Sequence, residues 1–299
     1  MTNYKYRFFT QRLATLAGFL LLGATLLGAQ APALKPQTRF ANWNGVKVHY
    51  DNYGKGKTAL VLIHGWTCDA TFWQANLPEL TEAMRVIAVD LPGHGQSDKP
   101  EKLTYSMETF AQAVNAVITD AKVERAVLVG HSMGVPVARQ FYKNFPAKVA
   151  GLVLVDGSLW PMGTAESMKQ YLDPLRTPEY KKSFENSVNY LTGGMKDKAV
   201  AAQVKKIMLS APQHVIVGAF EGMLDPAIWK EPVKFNVPVL ATMAANPQWT
   251  KDYEKFVRES APGIDYQTWP GVSHFLMMDE PHKFSATVIT FLKRSKIIL

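Results

Sequence analysis

The stretch RAVLVGHSMGVPVARQFYKNF, residues 125–145, joins an apolar run, a Gly-x-Ser-x-Gly motif and an amphipathic run without a break. The run RAVLV is short and rich in valine and leucine, as are strands that are covered on both faces. After the motif, apolar side chains recur at the spacing of one helix face, at Val137, Ala138, Phe141, Tyr142 and Phe145. The stretch therefore predicts a strand, a tight turn that carries Ser132, and a helix.

Gly130 and Gly134 are suited to a turn of this kind. A serine between a strand and a helix adopts a strained backbone, so the residues two before and two after it must lack a clashing side chain. The N-terminus of the following helix favours negative charge that develops beside the serine. A serine between two glycines also occurs by chance, but the strand before it and the helix after it favour Ser132 as a nucleophile.

Strand-like and helix-like runs alternate over most of the chain. Short apolar or alternating runs predict strands at 46–53, 58–64, 85–91, 125–130, 150–156, 237–245 and 264–271. Amphipathic runs predict helices at 73–83, 106–121, 134–145, 249–260 and 281–296. This alternation predicts an α/β fold with a mostly parallel central sheet and helices on both of its faces.

The alternation is interrupted at residues 158–236, where the runs are polar and helical. We therefore predict a core formed by residues 36–157 and 237–299, and a helical cap formed by residues 158–236. A cap over the carboxyl ends of the strands would shape access to a ligand crevice, whereas a packing layer without a gating role is the alternative. Apolar residues of the cap suggest a lining for the crevice, or else core packing: Trp160, Met162, Met168, Met195 and Met223.

A nucleophilic serine needs a base, and acyl transfer needs donors for an oxyanion. His274 follows the last predicted strand and precedes the last helix, so we expect it on a loop at the carboxyl edge of the sheet, as the base. The candidate oxyanion donors are two backbone amides. One belongs to Trp66, in the turn after the strand at 58–64, and the other to Met133, directly after the serine. These two assignments rest on chain position alone.

Four motifs together resemble the α/β-hydrolase fold family, and the resemblance spans residues 40–157 and 237–299. In the order that the family shows, they are HGW (64–66), DLPGHGQSD (90–98), GHSMG (130–134) and GVSHF (271–275). The resemblance implies a hydrolase with a serine at the nucleophile elbow, because the similar epoxide hydrolases and haloalkane dehalogenases have an aspartate there. It does not imply a substrate, since the family includes esterases, lipases, carbon–carbon hydrolases and perhydrolases.

The resemblance places the acid of a catalytic triad most often on the loop after the strand at 237–245, where this chain has AANPQW. Asn246 lies near the expected position, but a neutral amide orients an imidazole without stabilising its charged form. The family's second location for the acid corresponds to Asp156, at the end of the strand at 150–156. We expect Asp156 to be the acid, with Asn246, Asp252 or no acid as alternatives, and a strand-end cap as the structural interpretation of Asp156.

Residues 1–31 have the three-part pattern of a signal peptide: a basic lead, an uncharged apolar run at 13–28, and small residues. We predict cleavage after Ala31 or Ala33 and a periplasmic or secreted protein without a membrane anchor in its mature form. An uncleaved anchor is the alternative. Of the positive charges behind the formal charge of +8, Lys5, Arg7 and Arg12 lie in the basic lead. The remaining surplus is spread along the chain and does not indicate a nucleic-acid-binding face.

These patterns predict a serine hydrolase, resembling an esterase, that cleaves a small ester or related acyl substrate through a covalent acyl-enzyme. A carbon–carbon bond hydrolase or a cofactor-free perhydrolase would use the same triad. A non-catalytic ligand-binding protein of the same fold would use only the crevice. No cofactor is expected, and no pair of histidines stands with a carboxylate at the spacing of metal ligands.

Overall fold

The apolar runs of the sequence form the inner strands of one eight-stranded sheet. The computed structural model describes residues 35–161 and 163–299, so the predicted signal peptide at 1–31, with both cleavage positions, and Met162 lie outside the described residues. The order across the sheet is β1-β2-β4-β3-β5-β6-β7-β8. In chain order the strands are β1 (Gln37–Trp43), β2 (Val46–Tyr53), β3 (Thr58–Ile63), β4 (Val86–Val89), β5 (Arg125–His131), β6 (Val149–Val155), β7 (Val239–Ala244) and β8 (Asp265–Trp269).

The sheet is parallel from β4 to β8 and antiparallel at one edge. β3 pairs in parallel with β4 and β5, and the pairs β5–β6, β6–β7 and β7–β8 are parallel as well. β2 runs antiparallel to both β1 and β4. Every residue of β4, β6 and β7 is buried, as strands covered on both faces require. The prediction of an α/β fold with a mostly parallel sheet is confirmed.

β1 is a strand that the sequence pattern does not reveal. Its residues QTRFANW are mostly polar, and Ala41 alone among them is buried. Gln37 lies opposite Asn52 and Trp43 lies opposite Val46, so β1 extends the sheet beyond β2. An edge strand in contact with solvent needs no apolar run, because part of its surface remains in water.

The helices of the core follow the predicted amphipathic runs. In the described residues the α-helices are α1 (Leu77–Ala83), α2 (Met107–Asp120), α3 (Gly134–Asn144), α4 (Ala165–Arg176), α5 (Tyr180–Thr192), α6 (Lys198–Leu209), α7 (Gln213–Leu224), α8 (Lys251–Ser260), α9 (Leu276–Asp279) and α10 (Pro281–Arg294). α1 packs against α10, and α2 packs against α3. β4 lies on one side of β3 in the sheet, and β5 lies on the other side. The connection from β3 to β4 and the connection from β4 to β5 therefore run in opposite directions across the sheet. Because such connections are right-handed, α1 and α2 lie on opposite faces.

The helix predicted at 73–83 is interrupted. A short 3₁₀ helix at Ala70–Trp73 is followed by a turn, and α1 begins only at Leu77. Pro78 lies in the first turn of α1, where a proline is tolerated. A continuous helix through residue 78 would bring the proline ring against the carbonyl four residues earlier, which is why the helix begins late.

The described residues of the cap form α4 to α7, which follow β6 and precede β7 in the chain. α4 packs against α5 and α7, and α5 packs against α6. α7 also contacts α2 of the core. Within the described part of the chain, no single helix is long and apolar enough to cross a membrane. α6 together with the segment Gln213–Trp229, bent by 96°, passes that test on length and composition alone.

The loops after β3, β5, β6, β7 and β8 leave the same edge of the sheet, so their residues meet there.

Candidate active site

Ser132 lies at the turn between β5 and α3 in a backbone conformation that serine seldom adopts. Its φ is +52°, in the left-handed region. A Cβ on Gly130 would lie 2.3 Å from the carbonyl oxygen of Gly134, and a Cβ on Gly134 would lie 2.4 Å from the carbonyl oxygen of Ile63. The amide of Ser132 donates to the carbonyl of Val155 at 2.9 Å and so ties the turn to β6. The two glycines thus permit a turn that holds the serine at the carboxyl end of β5.

The HGW turn passes directly beside this serine. A Cβ on Gly65 would lie 3.1 Å from the Cβ of Ser132, so the glycine allows the close approach. The amides of Trp66 and Met133, which the sequence predicts as oxyanion donors, donate to no acceptor among the described residues, although both residues are buried. Backbone N–H groups usually have an acceptor within the protein. Two that have none, next to a serine, are suited to binding a developing oxyanion.

His274 lies on the loop between β8 and α9, where the sequence predicts it. Its Nδ1 is 2.7 Å from Oδ2 of Asp156, a hydrogen bond between an imidazole N–H and a buried carboxylate. From the described residues no hydrogen bond reaches the other ring nitrogen, Nε2, of His274. The structure therefore brings His274 and Asp156 into contact, and both line a cavity that Ser132 also lines.

Asp156 directly follows β6, and its φ of +43° also lies in the left-handed region, which aspartate tolerates better than most residues do. Its amide donates to the carbonyl of Thr242 at 2.9 Å. Its Oδ1 accepts from the backbone amide of Ala244 and from the indole Nε1 of Trp249, each at 2.8 Å. Since Oδ2 is bound to His274, both oxygens of this buried carboxylate are paired.

The other candidates for the acid do not contact the imidazole. Asn246 lines the cavity, but its Oδ1 accepts from the amide of Gln248 at 3.0 Å and so closes a local turn. Asp252 is exposed in the first turn of α8. In the described ranges neither residue has a hydrogen bond to His274, so the geometry favours Asp156 over both.

His131 makes a contact that its place in the sequence does not predict. Its Nε2 donates to the backbone carbonyl of His274 at 2.9 Å, and the two ring centroids lie 4.8 Å apart. Burial, assisted by the nearby His274, holds the pKa of His131 well below its usual value, so the ring is neutral. A neutral His131 therefore supports the loop of His274 without adding charge beside it.

Ser132, His274 and Asp156 line one cavity of about 460 Å³. Of the residues that the sequence suggests as its lining, Met168 and Met223 contribute to the wall. Trp160 instead packs on Tyr253, and Met195 is buried away from the cavity. Cap helices thus supply part of the wall, chiefly through apolar or aromatic side chains such as Met168, Tyr171, Phe220 and Met223.

The described residues that line this cavity carry few charges. Asp156 is the only carboxylate among them, and no lysine or arginine is present. In the same part of the chain, no group of three or more His, Cys, Asp or Glu residues lies close enough together to hold a metal ion. The arrangement is therefore suited to an uncharged ligand beside a paired imidazole and carboxylate.

Trp66 links the HGW turn to the cap. Its indole N–H donates to the carbonyl of Ile216 in α7 at 2.9 Å. Its ring packs edge-on against Phe184 of α5 and obliquely against Phe220 of α7, with centroids 5.3 and 5.1 Å apart. The backbone that offers a candidate oxyanion donor is thus held in part by cap residues.

Two relatives align with this chain over most of its length. An uncharacterised protein of Mycobacterium tuberculosis is 28% identical over 289 residues, an alignment that covers 86% of this chain and 81% of the relative. A pimeloyl-[acyl-carrier protein] methyl ester esterase of Edwardsiella ictaluri is 28% identical over 261 residues, covering 80% of this chain and 94% of the relative.

Solved structures and a family model agree with the architecture. An esterase from a Rhodococcus species superposes with a TM-score of 0.71 at 27% identity and covers 88% of this chain and 99% of its own. An esterase from Exiguobacterium antarcticum has a TM-score of 0.75 at 20% identity, covering 86% of this chain and 98% of its own, and shows the shared fold. The model of the alpha/beta hydrolase family matches residues 60–287, from β3 to the last helix. The chain therefore belongs to the alpha/beta hydrolase family.

Proposed function

We propose that this protein is a carboxylic ester hydrolase that uses Ser132 as nucleophile and works through an acyl-enzyme. The observation that carries the proposal is the 2.7 Å contact between His274 and Asp156 in a cavity that Ser132 also lines. An imidazole whose Nδ1 is held by a carboxylate offers Nε2 as a base for a serine hydroxyl. The positive φ of Ser132 gives further support, because such strained residues concentrate at functional sites.

In this mechanism the Ser132 oxygen attacks the ester carbonyl while Nε2 of His274 takes the hydroxyl proton. The amides of Trp66 and Met133 donate to the oxyanion of the tetrahedral intermediate. When the intermediate collapses, His274 returns the proton to the departing alcohol, and the acyl group stays on the serine. Water, deprotonated by the same imidazole, then attacks the acyl-enzyme. Collapse of this second intermediate breaks the bond between the acyl carbon and the Ser132 oxygen, His274 returns the proton to that oxygen, and the carboxylic acid is released. Asp156 orients the imidazole and stabilises its charged form throughout.

We propose a neutral, largely apolar acyl group as the substrate portion that occupies the cavity. A buried carboxylate on the acyl chain would need a cationic partner, and the described lining offers no lysine or arginine. The same carboxylate would be repelled by Asp156. The volume of about 460 Å³ lies within the range of small-molecule sites.

The relatives support an ester as the substrate. The Edwardsiella relative is named as a methyl ester esterase, and the Rhodococcus structure at 27% identity is named as an esterase. Both alignments cover four-fifths or more of this chain. We therefore place ester hydrolysis ahead of carbon–carbon bond hydrolysis and perhydrolysis, which would use the same residues.

We propose that the cap, residues 158–236, acts as a lid that shapes access to Ser132. Support comes from the cap side chains in the cavity wall, such as Met168 and Phe220, and from the bond between Trp66 and Ile216. A lid of this kind excludes water and selects substrates by size.

We also propose that the protein is exported, on the basis of the N-terminal sequence pattern. N-terminal sequencing of the protein from the periplasm or medium should give a chain that begins at Pro32 or Leu34. A chain that keeps Met1 and stays with the membrane fraction would support the uncleaved anchor instead.

The ester hydrolase proposal is tested with p-nitrophenyl esters of increasing acyl length. Each neutral ester is compared with a second ester whose acyl group has the same length but ends in a carboxylate. Wild-type protein should hydrolyse the neutral esters, with kcat/KM for the carboxylate-ended partners lower by about tenfold or more. Ser132→Ala should lose turnover down to the background left by binding and oxyanion donors.

Three outcomes would redirect the proposal. Wild-type rates in Ser132→Ala would exclude the serine mechanism. Poor ester turnover with good turnover of a vinylogous diketone, or of acid plus peroxide, would favour the other two reactions. Absence of both turnover and stoichiometric fluorophosphonate labelling of Ser132 would favour a non-catalytic binding protein.

A further inference from the structure

We propose that Trp249 is a positioning residue that holds Asp156 in the orientation its bond to His274 requires, an inference that rests on the proposed function. The indole N–H donates to Oδ1 of Asp156 at 2.8 Å, and Oδ2 of the same carboxylate is 2.7 Å from Nδ1 of His274. Trp249, Asp156 and His274 therefore form one chain of hydrogen bonds that leads from the loop between β7 and α8 to the base.

The carboxylate has a defined orientation because each oxygen has its own donors. Oδ1 receives the Ala244 amide and the Trp249 indole, and Oδ2 receives the imidazole. Rotation of the carboxylate would break the bonds on both oxygens. Ala244 donates from the backbone of β7, so among these donors to Oδ1 the indole is the one that a side-chain substitution removes.

Trp249 is itself held by the structure around α8. Its amide donates to the carbonyl of Asn246 at 3.0 Å, and its ring packs on that of Tyr253, with centroids 4.9 Å apart. The Tyr253 hydroxyl donates to the carbonyl of Gly157 at 2.9 Å and accepts from the amide of Leu159 at 3.2 Å. Burial raises the pKa of Tyr253, so its phenol stays protonated and can donate.

Two aromatic residues thus hold the segment that begins at Asp156. Trp249 binds its carboxylate, and Tyr253 binds the backbone that follows. The position of this pair is informative. The resemblance to the family places an acid most often on the loop after β7, and in this chain that loop supplies an indole donor to an acid on the neighbouring strand. The loop thus serves the acid at the end of β6 instead of carrying one.

The indole N–H should matter for the reaction and not only for folding. A bond to a charged group contributes more than a bond between neutral groups. Without it, the carboxylate is freer to rotate away from the imidazole, and the imidazole is then held less firmly in the orientation that a base for Ser132 requires.

The test compares Trp249→Phe with Trp249→His. Phenylalanine keeps an aromatic ring on Tyr253 and removes the donor. Histidine restores it, because Nε2 of an imidazole coincides with Nε1 of an indole when the two five-membered rings are superposed. For Trp249→Phe we expect kcat on a neutral p-nitrophenyl ester to fall about 10- to 100-fold with KM within about threefold. Trp249→His should recover part of kcat.

Trp160→Phe is the matched control. Trp160 packs on the same Tyr253 at 5.1 Å and on Phe256 at 5.5 Å, but its indole makes no hydrogen bond to Asp156 within the described residues. The control makes the same change of side chain against the same ring, and we expect its kcat to stay within about threefold of wild type. Rates are expressed per Ser132 titrated with a fluorophosphonate, so that loss of folded protein does not count as loss of kcat.

Three results would overturn the inference: a Trp249→Phe protein with wild-type kcat, equal losses of kcat in Trp249→Phe and Trp160→Phe, or a Trp249→His protein with a kcat no higher than that of Trp249→Phe. The proposed function has its own separate test. If Ser132→Ala is inactive and Trp249→Phe behaves as wild type, only the positioning role fails. If Ser132→Ala keeps wild-type rates, the serine mechanism fails.

Discussion

At the scale of single residues, the site depends on two residues in the left-handed region, Ser132 and Asp156. Each directly follows an inner strand, and each is tied to the neighbouring strand by its own amide, Ser132 to Val155 and Asp156 to Thr242. Such conformations cost about 1–3 kcal/mol and persist only where the surroundings fix them. Here the surrounding bonds fix the directions in which the two side chains leave the sheet.

The role of Asp156 is tested by Asp156→Asn. An amide keeps the size of the side chain but cannot stabilise an imidazolium by charge, so we expect kcat to fall about 10³- to 10⁴-fold. Asp252→Asn is the control: Asp252 is exposed on α8, and its loss should change kcat less than about threefold. Steady-state ester hydrolysis measures both. An Asp156→Asn protein with near wild-type kcat would move the acid elsewhere.

The sequence is informative about the candidate nucleophile and base but not about the acid. Ser132 lies between two glycines and between two well-patterned elements, and His274 has a matching place in the chain order. The orientation of Asp156 depends on its backbone φ and on bonds to Ala244 and Trp249, which lie 88 and 93 positions further along. No local pattern encodes contacts at that distance.

At the scale of elements, the start of α3 lies directly against the end of β3. A Cβ on Gly134, the first residue of α3, would lie 2.4 Å from the carbonyl of Ile63 and 3.0 Å from that of His64. These are backbone atoms that cannot move aside without shifting the strand or the helix. The elbow geometry and the packing of α3 on the sheet therefore depend on the same residue.

We predict that Gly134→Ala lowers the free energy of unfolding by about 1–3 kcal/mol or more, because the added methyl group overpacks the contact with β3. Gly193→Ala is the control. Gly193, at the end of α5, has helical angles that alanine adopts, φ −60° and ψ −31°. Its added methyl group would lie 3.1 Å from the carbonyl oxygen of Asn189, against 2.4 Å for the nearest atom at Gly134, so its substitution should change stability by less than about 1 kcal/mol. Urea unfolding measures both. Equal stabilities of the two variants would argue against the close packing at the elbow.

The elements themselves were predictable where burial imposes a pattern. The inner strands are apolar along their length because both faces are covered, and the amphipathic helices of the core follow their spacing. β1 has no such pattern, since it lies at the edge of the sheet and Ala41 is its only buried residue. The late start of α1 depends on Pro78, whose effect on the preceding turn an apolar periodicity does not show.

At the scale of the whole molecule, buried histidines link stability to pH. Burial lowers the pKa of His64, His94 and His131, in the case of His94 to about 3. His49 differs: burial alone would lower its pKa, but the hydrogen bond and charge of Asp90 raise it above the usual 6.5. The first three are therefore neutral in the folded protein at pH 6.5, while His49 is charged.

We predict that the free energy of unfolding falls as the pH drops below 6.5. Each histidine with a lowered pKa takes up a proton when the chain unfolds, so its stabilising contribution is present above 6.5 and declines by about 1.4 kcal/mol per pH unit below it. His94→Gln removes one of the groups that take up a proton on unfolding. Between about pH 6 and 5 the free energy of unfolding should therefore depend less steeply on pH, by about 1.4 kcal/mol per pH unit. Urea unfolding at a series of pH values measures it.

His49→Gln is the control for this prediction, because the sign of its effect is opposite. A raised pKa gives a contribution that is complete below 6.5 and is lost as the pH rises through the folded value. Its substitution should therefore leave the slope between about pH 6 and 5 unchanged and alter the slope above 6.5. A His94→Gln protein with the wild-type slope below 6.5 would contradict a neutral, buried His94.

Acylation of Ser132 during ester hydrolysis is tested most directly by mass mapping of an acid-quenched reaction with a neutral p-nitrophenyl ester. We expect a mass increase of one acyl group on the peptide that contains Ser132, and no such increase in Ser132→Ala, which should also lack turnover. Wild-type turnover in Ser132→Ala, or hydrolysis with the acyl group on another residue, would contradict it.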